Sequence, residues 1–330
     1  MNILRRVLGD GSSRAWMLLG ALLCLFLGLD QTGLSVFGKG AGFSVLENFA
    51  TFGPVALGLA LTMLIREFDI SMAGMFSLAG CVAVRLGQAH PGLGLLAALG
   101  VGVLGGAIQG LVLVRLNLGS VPVTLGGLLT FFGMAYVLTG NRTVDLPDLN
   151  VALAMNEPIL GVFSLRSILA VLLFAIAAFM VAYTRIGRDM VATGSDPRAA
   201  KVAGVRTEAV TIGVFAASGT LFAVAGALMS YSLSAASPSG LSDVTVPAIA
   251  AVILGGASPS RGTARPLGTA AGVLILCLLR TGLTSLEMSP HVHEMVMGSI
   301  LMIVAISDGP DLTRHLYRLG LGGGRDGSAP

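Results

Sequence analysis

The chain has 330 residues, of which 54% are hydrophobic and only 11% are charged, and its formal net charge at pH 7 is +3. Soluble domains carry about 25% charged residues, so this composition excludes a soluble globular protein and indicates an integral membrane protein. The apolar segments run for about 15 to 25 residues without period-two alternation, which favours membrane-spanning helices over a β-barrel.

The apolar segments, taken in chain order, predict an all-α polytopic bundle with ten membrane-spanning helices. The predicted spans are 15–36, 53–66, 70–87, 92–114, 119–139, 165–184, 208–234, 244–257, 267–286 and 292–307. Two of them, 53–66 and 244–257, are shorter than the ~20 residues that a full crossing requires, so they are predicted to be broken or half-length spans. The first span resembles a signal peptide, but no small-x-small cleavage site closely follows it, and an uncleaved helix is the preferred interpretation.

The distribution of positive charge predicts the orientation. If ten spans alternate, 15 of the 20 Lys and Arg residues lie on the side of the N-terminus and five on the other side. Positive residues accumulate on the cytoplasmic side, so both termini are expected in the cytoplasm. The predicted organisation is a cytoplasmic segment 1–14, one transmembrane domain 15–307 with a cytoplasmic loop at 185–206, and a cytoplasmic tail 308–330 that is disordered at its end.

A polar break lies between the second and third predicted spans and contains Glu67, Asp69 and Ser71. A carboxylate at the bilayer centre costs about 2.5–3.5 kcal/mol, so one interpretation is a translocation pathway or gate. The alternative is that the break reaches the cytoplasmic interface, where Arg66 pairs with the carboxylates in water. The other polar residues assigned to the predicted pathway or gate are Gln109, Thr124 and Ser258.

The segment from Thr184 to Val205 is polar and basic within an otherwise apolar chain. Asp196 is a helix N-cap followed by Pro197 at the first helical position, and Gly204 is a natural stop, which together predict a helix of about seven residues. Such a helix is too short to be stable alone. It therefore needs packing against its own bundle or a partner, although an ordinary amphipathic connector would show the same pattern.

Glycines at intervals of four predict close helix packing rather than a nucleotide site. Gly102, Gly106 and Gly110 lie on one helix face, and Gly268 and Gly272 have the same spacing. Small residues let membrane helices approach closely.

The nucleotide and metal motifs are incomplete. Gly33–Gly40 nearly spells a phosphate-binding loop but has glycine instead of Ser or Thr after Lys39. His291–Glu294 lacks the spacing of a zinc motif and is predicted to be a loop at the membrane surface. Neither a cofactor nor a metal is therefore predicted in this chain, and the energy for any ATP-driven process must come from a partner.

Five segments, in order along the chain, resemble a known family. They are Ala56–Gly74, Gly106–Gly110, Val121–Gly126, Thr184–Val205 and Ala248–Gly268. Over about residues 45–307 the chain resembles the permease subunits of bacterial monosaccharide ABC importers, the ribose/arabinose/xylose and autoinducer-2 group. The first segment is similar to the family's Gly-Gly-Ile-Asp-Leu-Ser-Val-Gly, although Arg66-Glu67-Phe68 replaces the glycines before Ile-Asp. Gln109 stands where the family has Asn.

The resemblance implies a multi-pass permease of the bacterial inner membrane that is not itself an enzyme. It implies translocation of a monosaccharide or similar small polyol, delivered by a periplasmic sugar-binding protein, and pairing with a second permease that is an identical chain or a paralogue. A separate cytoplasmic ABC ATPase would bind ATP and Mg and act on the loop 185–206; no nucleic acid is implied. The predicted ATPase-coupling residues are Arg188, Gly194, Asp196, Ala199, Ala200 and Gly204.

Two other classes of protein offer alternative interpretations of the sequence. A secondary transporter driven by an ion gradient would use Asp69 as a proton or cation site. A membrane-embedded enzyme such as a transferase is disfavoured, because the sequence contains no clustered set of catalytic groups. Transport in vesicles without an ATPase would favour the secondary transporter.

Overall fold

The structure is a computed structural model that describes residues 15–24, 40–240, 243–258 and 261–308. The predicted segment 1–14, part of the first predicted span and the predicted tail from 309 onward lie outside the described residues. The described helices and strands are α1 (Ala15–Cys24), α2 (Ala41–Leu64), α3 (Met72–Leu86), α4 (Pro91–Leu116), α5 (Ser120–Thr139), β1 (Val144–Asp145), α6 (Leu149–Asn156), α7 (Leu165–Tyr183), α8 (Arg185–Ser195), α9 (Pro197–Val202), α10 (Thr207–Ser232), β2 (Ala235–Ala236), α11 (Thr245–Leu254), α12 (Pro266–Ser285) and α13 (Pro290–Asp308).

Long apolar helices dominate the described residues. Six of them, α2, α4, α5, α7, α10 and α12, are long and apolar enough to cross a membrane, and α1, α3 and α11 are shorter apolar helices. The prediction of a multi-pass helical membrane protein is therefore confirmed. The number of ten spans and the orientation stay predictions.

One predicted half-length span is wrong. The segment predicted as 53–66 is the second half of α2, which begins at Ala41 and contains Pro54 in its interior. At 1.5 Å per residue its 24 residues extend about 36 Å, enough for a full crossing. Glu47 and Thr51 interrupt the apolar pattern, but both are hydrogen-bonded inside the bundle, where Glu47 pairs with Arg166. The other short span is confirmed as the ten-residue α11.

Helix α2 lies at the centre of the bundle. In the most apolar 18-residue stretch of α2, 83% of the residues are buried, whereas 17% are buried in the corresponding stretch of α5. It packs against α7, α10, α11 and α12, and α10 in turn packs against α3 and α4. The beginning of α2 lies beside the start of α7, and its last turn lies beside α8. We call these two regions the α6 end and the α8 end of the bundle.

The loops contain elements that the sequence did not predict. At the α6 end, β1 and β2 form a two-residue antiparallel pair in which Val144 faces Ala236 and Asp145 faces Ala235. Residues 291–294, predicted to be a loop, lie in the first turns of α13. Neither feature changes the all-α class.

The glycine-spacing prediction is confirmed. A Cβ on Gly106 would overlap the carbonyl oxygen of Phe215 on α10, and a Cβ on Gly110 would lie 2.8 Å from the Cα of Ile212. On α12, a Cβ on Gly272 would overlap the carbonyl oxygen of Ala251 on α11. These glycines therefore let the backbones of neighbouring helices touch.

Replacing Gly106 by alanine is expected to lower the melting temperature of the purified protein. Extra atoms in a closely packed site cost about 1–3 kcal/mol, and here the obstacle is backbone that has no rotamer to change. Gly100→Ala on the same helix is the matched control, because a Cβ there meets nothing within 4 Å. Equal melting of the two variants in detergent would contradict the packing role.

Candidate functional site

The predicted short helix is confirmed as α9, which has six residues. The carboxylate of Asp196 accepts hydrogen bonds from the backbone N–H of Arg198 at 2.9 Å and of Ala199 at 3.1 Å. Gly204 has φ of 86°, in the left-handed region, and its N–H donates to the carbonyl of Lys201 at 3.0 Å. The start and the stop lie where the sequence placed them.

The eleven-residue helix α8, immediately before α9, was missed by the sequence analysis. Thr184 caps it, because its hydroxyl accepts from the N–H of Gly187 at 3.2 Å. The buried face of α8 includes Gly187, Met190 and Gly194, spaced at three and four residues. This spacing and the threonine cap are both visible in the sequence, so the sequence contains the information needed to predict α8.

The six predicted coupling residues have two different environments. Arg188, Asp196, Ala199 and Gly204 are exposed, whereas Gly194 and Ala200 are buried. Of the three alanines in and just after α9, Ala200 packs inward, whereas Ala199 and Ala203 face outward. The exposed surface of α8, α9 and the residues just after them is basic; its cationic residues are Arg185, Arg188, Arg198, Lys201 and Arg206.

Three backbone segments meet without intervening side chains at the α8 end. A Cβ on Gly194 would overlap the carbonyl oxygen of Leu64, the last residue of α2, and would lie 3.3 Å from the carbonyl oxygen of Gly262. Gly262 has φ of 62°, and a Cβ there would overlap the carbonyl of Gly194. We call Leu64, Gly194 and Gly262 the Gly194 junction. It connects α8 directly to the central helix and to the loop before α12.

A second polar group surrounds Asp69, which is 1% exposed. One carboxylate oxygen accepts from the N–H and the Oγ of Ser71, at 2.9 and 2.6 Å, and the other accepts from the Oγ of Ser218 at 3.2 Å. The Ser71 hydroxyl also lies 3.1 Å from Oε1 of Gln109. We call these four residues the Asp69 cluster. Asp69 is therefore enclosed by the protein, whereas Arg66 is exposed.

The start of α5 supports the backbone next to this cluster. Thr124 is fully buried, and its Oγ1 accepts from the N–H of Ile70 at 3.1 Å, while the Oγ of Ser120 accepts from the N–H of Phe68 at 3.1 Å. Glu67 is half-buried beside them. Ser258 lies elsewhere, in the loop after α11, where its N–H donates to the carbonyl of Thr263 at 2.7 Å.

The structure thus brings Asp69, Ser71, Gln109 and Thr124 together, and it adds Ser218, which the sequence analysis missed. Ser218 is a small polar residue in an apolar helix, and a single residue of this kind does not indicate a functional site in a sequence. A buried carboxylate surrounded by neutral groups can hold a proton, or it can accept hydrogen bonds from the hydroxyls of a passing solute. In the part of the chain that the structure describes, no three His, Cys, Asp or Glu side chains could hold a metal ion.

Removing the cap of α9 is expected to loosen that helix. The N–H groups of Ala199 and Arg198 hold the pKa of the exposed Asp196 carboxyl below its ordinary value. Because the folded pKa is lowered, the cap stabilises α9 at neutral pH, and the stabilisation is lost as the pH falls through that folded pKa. Asp196→Ala should therefore accelerate amide hydrogen exchange across α9 at neutral pH. Asp196→Asn, which also caps helices, is the control and should exchange like the native chain.

These features are those of a multi-pass helical membrane protein with an exposed basic segment joined to its central helix. A family model described as branched-chain amino acid transport system / permease component matches residues 42–305. The chain belongs to this family and is a permease component.

Alignments with two kinds of import permease cover most of the chain. The ribose import permease protein RbsC of Escherichia coli (strain K12) is 28% identical over 308 residues, which are 89% of this chain and 94% of that protein. The autoinducer 2 import system permease protein LsrC is 30% identical in Yersinia pseudotuberculosis serotype O:1b (strain IP 31758), over 88% of this chain and 83% of that protein. The LsrC of Photorhabdus luminescens is also 30% identical, over 88% of both chains. No solved structure matches. The resemblance to this group of importer permeases is confirmed.

Proposed function

We propose that the chain is the membrane-spanning subunit of an ATP-driven importer in the bacterial inner membrane. Its cargo is a monosaccharide or a similar small polyol, delivered by a periplasmic binding protein. The family match supports the permease role, and the names of the relatives support import of ribose-like or autoinducer-2-like molecules. A second permease subunit, identical or paralogous, completes the membrane part of the proposed importer.

The observation that carries this proposal is the Gly194 junction. Helices α8 and α9 present an exposed basic surface, and α8 touches the last turn of the central helix through backbone alone. Close-packed interiors transmit displacement because they contain few voids. A partner ATPase that pushes α8 would therefore move Leu64 and the polar break that follows it. The basic character of this surface supports a cytoplasmic location, and ATP and Mg are bound by the partner.

The choice of a sugar over a branched-chain amino acid rests on the relatives and on the Asp69 cluster. The family description names amino acids, whereas the relatives with matches over most of the chain are named for ribose and autoinducer 2. The cluster offers hydroxyl, amide and carboxylate groups, which can exchange hydrogen bonds with sugar hydroxyls. The proposed pathway or gate contains Glu67, Asp69, Ser71, Gln109 and Thr124, with Ser258 at the α8 end.

The test is uptake into proteoliposomes that contain the permease with its ATPase and binding protein. Labelled ribose, autoinducer 2 and leucine serve as probes, each with and without ATP. ATP-dependent accumulation of ribose or autoinducer 2 is expected. ATP-dependent uptake of leucine alone would contradict the sugar assignment, and uptake without an ATPase would contradict the ATP-driven mechanism.

The burial of Asp69 favours one second candidate, a secondary transporter that uses this carboxyl as a proton site. Its hydrogen-bond partners in the cluster are neutral, so a proton can be held there without an opposing charge. Solute accumulation in ATPase-free vesicles under an imposed proton gradient would support this candidate. Absence of accumulation there, with ATP-driven uptake in the complete complex, would exclude it.

A further inference from the structure

A buried ion pair lies at the α6 end, away from the groups discussed so far. Arg166, the second residue of α7, is 4% exposed, and its Nη1 donates to Oε2 of Glu47 on α2 at 2.6 Å. The same guanidinium donates to Oγ1 of Thr51 on α2 and to Oγ of Ser232 on α10, both at 2.8 Å. One side chain therefore joins three helices.

The network extends to α6. The Ser232 hydroxyl donates to Oδ1 of Asn156 at 2.6 Å, and Nδ2 of Asn156 donates to the Ser232 carbonyl at 2.9 Å. Helix α6 has no fully buried residues, and these two bonds attach it to α10. We call Glu47, Thr51, Asn156, Arg166 and Ser232 the Arg166 cluster.

The cluster holds only one half of α2. Glu47 and Thr51 are one turn apart and bind the same guanidinium, which fixes the rotation of α2 about its axis. Pro54 follows, inside the helix, where its missing N–H removes a backbone hydrogen bond and makes bending easier. The half of α2 before Pro54 can therefore tilt relative to the half that ends at the Gly194 junction.

The surroundings of the pair allow it to separate. Glu47 is 17% exposed at the edge of the bundle, and it also accepts a hydrogen bond from the hydroxyl of Ser164. Arg166 keeps the hydroxyl of Ser232 on α10 when the first half of α2 moves away. The guanidinium thus retains a polar partner, and the carboxylate is already partly exposed. Apolar residues of similar volume often give equal or greater stability than a buried ion pair, so stability alone does not account for these charges.

We propose that the Arg166 cluster is a latch that opens and recloses during each transport cycle, and that Glu47 and Arg166 are positioning residues for transport. Opening frees the first half of α2 from α7 and α10, and the α6 end widens by bending at Pro54. The proposal rests on the proposed function, because a cycle requires transport.

The decisive variant is Glu47→Leu with Arg166→Met, tested in the complete reconstituted complex. It removes both charges, so no buried charge is left unpaired, and we expect it to melt at or above the native temperature. Because the latch cannot reclose, ATP-driven uptake should fall about tenfold or more, within the usual range of coupling between sites. The single variants Glu47→Gln and Arg166→Met should melt several degrees lower, since each leaves one member without its partner.

The control is Arg142→Gln with Asp148→Asn, which removes one positive and one negative charge from exposed positions at the same end of the bundle, where asparagine still caps α6. Its uptake and melting should match the native complex. Normal uptake in the Leu/Met variant overturns the latch. The latch proposal is also overturned if the Leu/Met variant melts no higher than the single variants. The ion pair would then be required for the stability of the bundle. Failure of the native complex to transport would instead contradict the proposed function.

Discussion

Gly194→Ala is expected to reduce ATP-driven uptake about tenfold or more while ATP hydrolysis continues, a loss within the usual range of coupling between sites. The added Cβ would overlap the carbonyl oxygen of Leu64, and backbone cannot move aside as a flexible side chain can. Helix α8 must therefore separate from the last turn of α2. Movement of a partner at α8 would then no longer reach the central helix.

Displacement of α8 is expected rather than unfolding, because space lies beside it. A cavity of about 380 Å³ separates part of α8 from the end of α7 and the start of α12, and it is lined by Val191 and Ser195 on the α8 side. Leu64 and Gly262 of the Gly194 junction line the same cavity, so α8 has room to shift beside the junction. The assembled complex should therefore be obtained in normal yield.

The matched control for this substitution is Gly213→Ala on α10. Its Cβ meets nothing within 4 Å, and it gives the same gain of up to about 1 kcal/mol in helix propensity. Uptake and hydrolysis are measured together in proteoliposomes and expressed as substrate moved per ATP. A native ratio in Gly194→Ala would show that the Gly194 junction does not transmit movement.

Local signals were sufficient where the structure is decided by neighbouring residues. The start of α9 at Asp196 and its stop at Gly204 follow from capping and from the left-handed conformation of glycine, which act within one turn. The long spans α5 and α7 were predicted within one or two residues, because their apolar runs are continuous. The faces of α4 and α12 that pack against neighbouring helices followed from glycine spacing.

Sequence patterns did not predict features that depend on a contact with a residue far away in the chain. The start of α2 was placed too late because Glu47 is unfavourable in an apolar helix, and its partner Arg166 is more than a hundred residues away. The Gly194 junction joins residues 64, 194 and 262, which no local pattern relates. In the sequence, Arg166 contributes only to the distribution of positive charge. Tertiary pairing of this kind cannot be read from a single sequence.

Asp69→Asn is expected to reduce uptake about tenfold or more, again within the range of energetic coupling between sites, with little change in melting temperature. The amide oxygen can still accept from Ser71, and the amide nitrogen can donate to the oxygen of Ser218, so the Asp69 cluster keeps its bonds. What is lost is the ability to carry a negative charge or to exchange a proton. A measured loss would therefore report on that ability rather than on folding.

Asp148→Asn is the matched control for this prediction. Asp148 is exposed and caps α6 by accepting from the N–H of Asn150 at 3.0 Å, a role that asparagine fills equally well. Its uptake should be native. If Asp69→Asn also transports normally, the Asp69 carboxylate acts as a packing group that shapes the break between α2 and α3, because its hydrogen bonds alone would then suffice. A loss at Asp69 with native behaviour at Asp148 would instead support the place of this buried carboxyl in the translocation pathway.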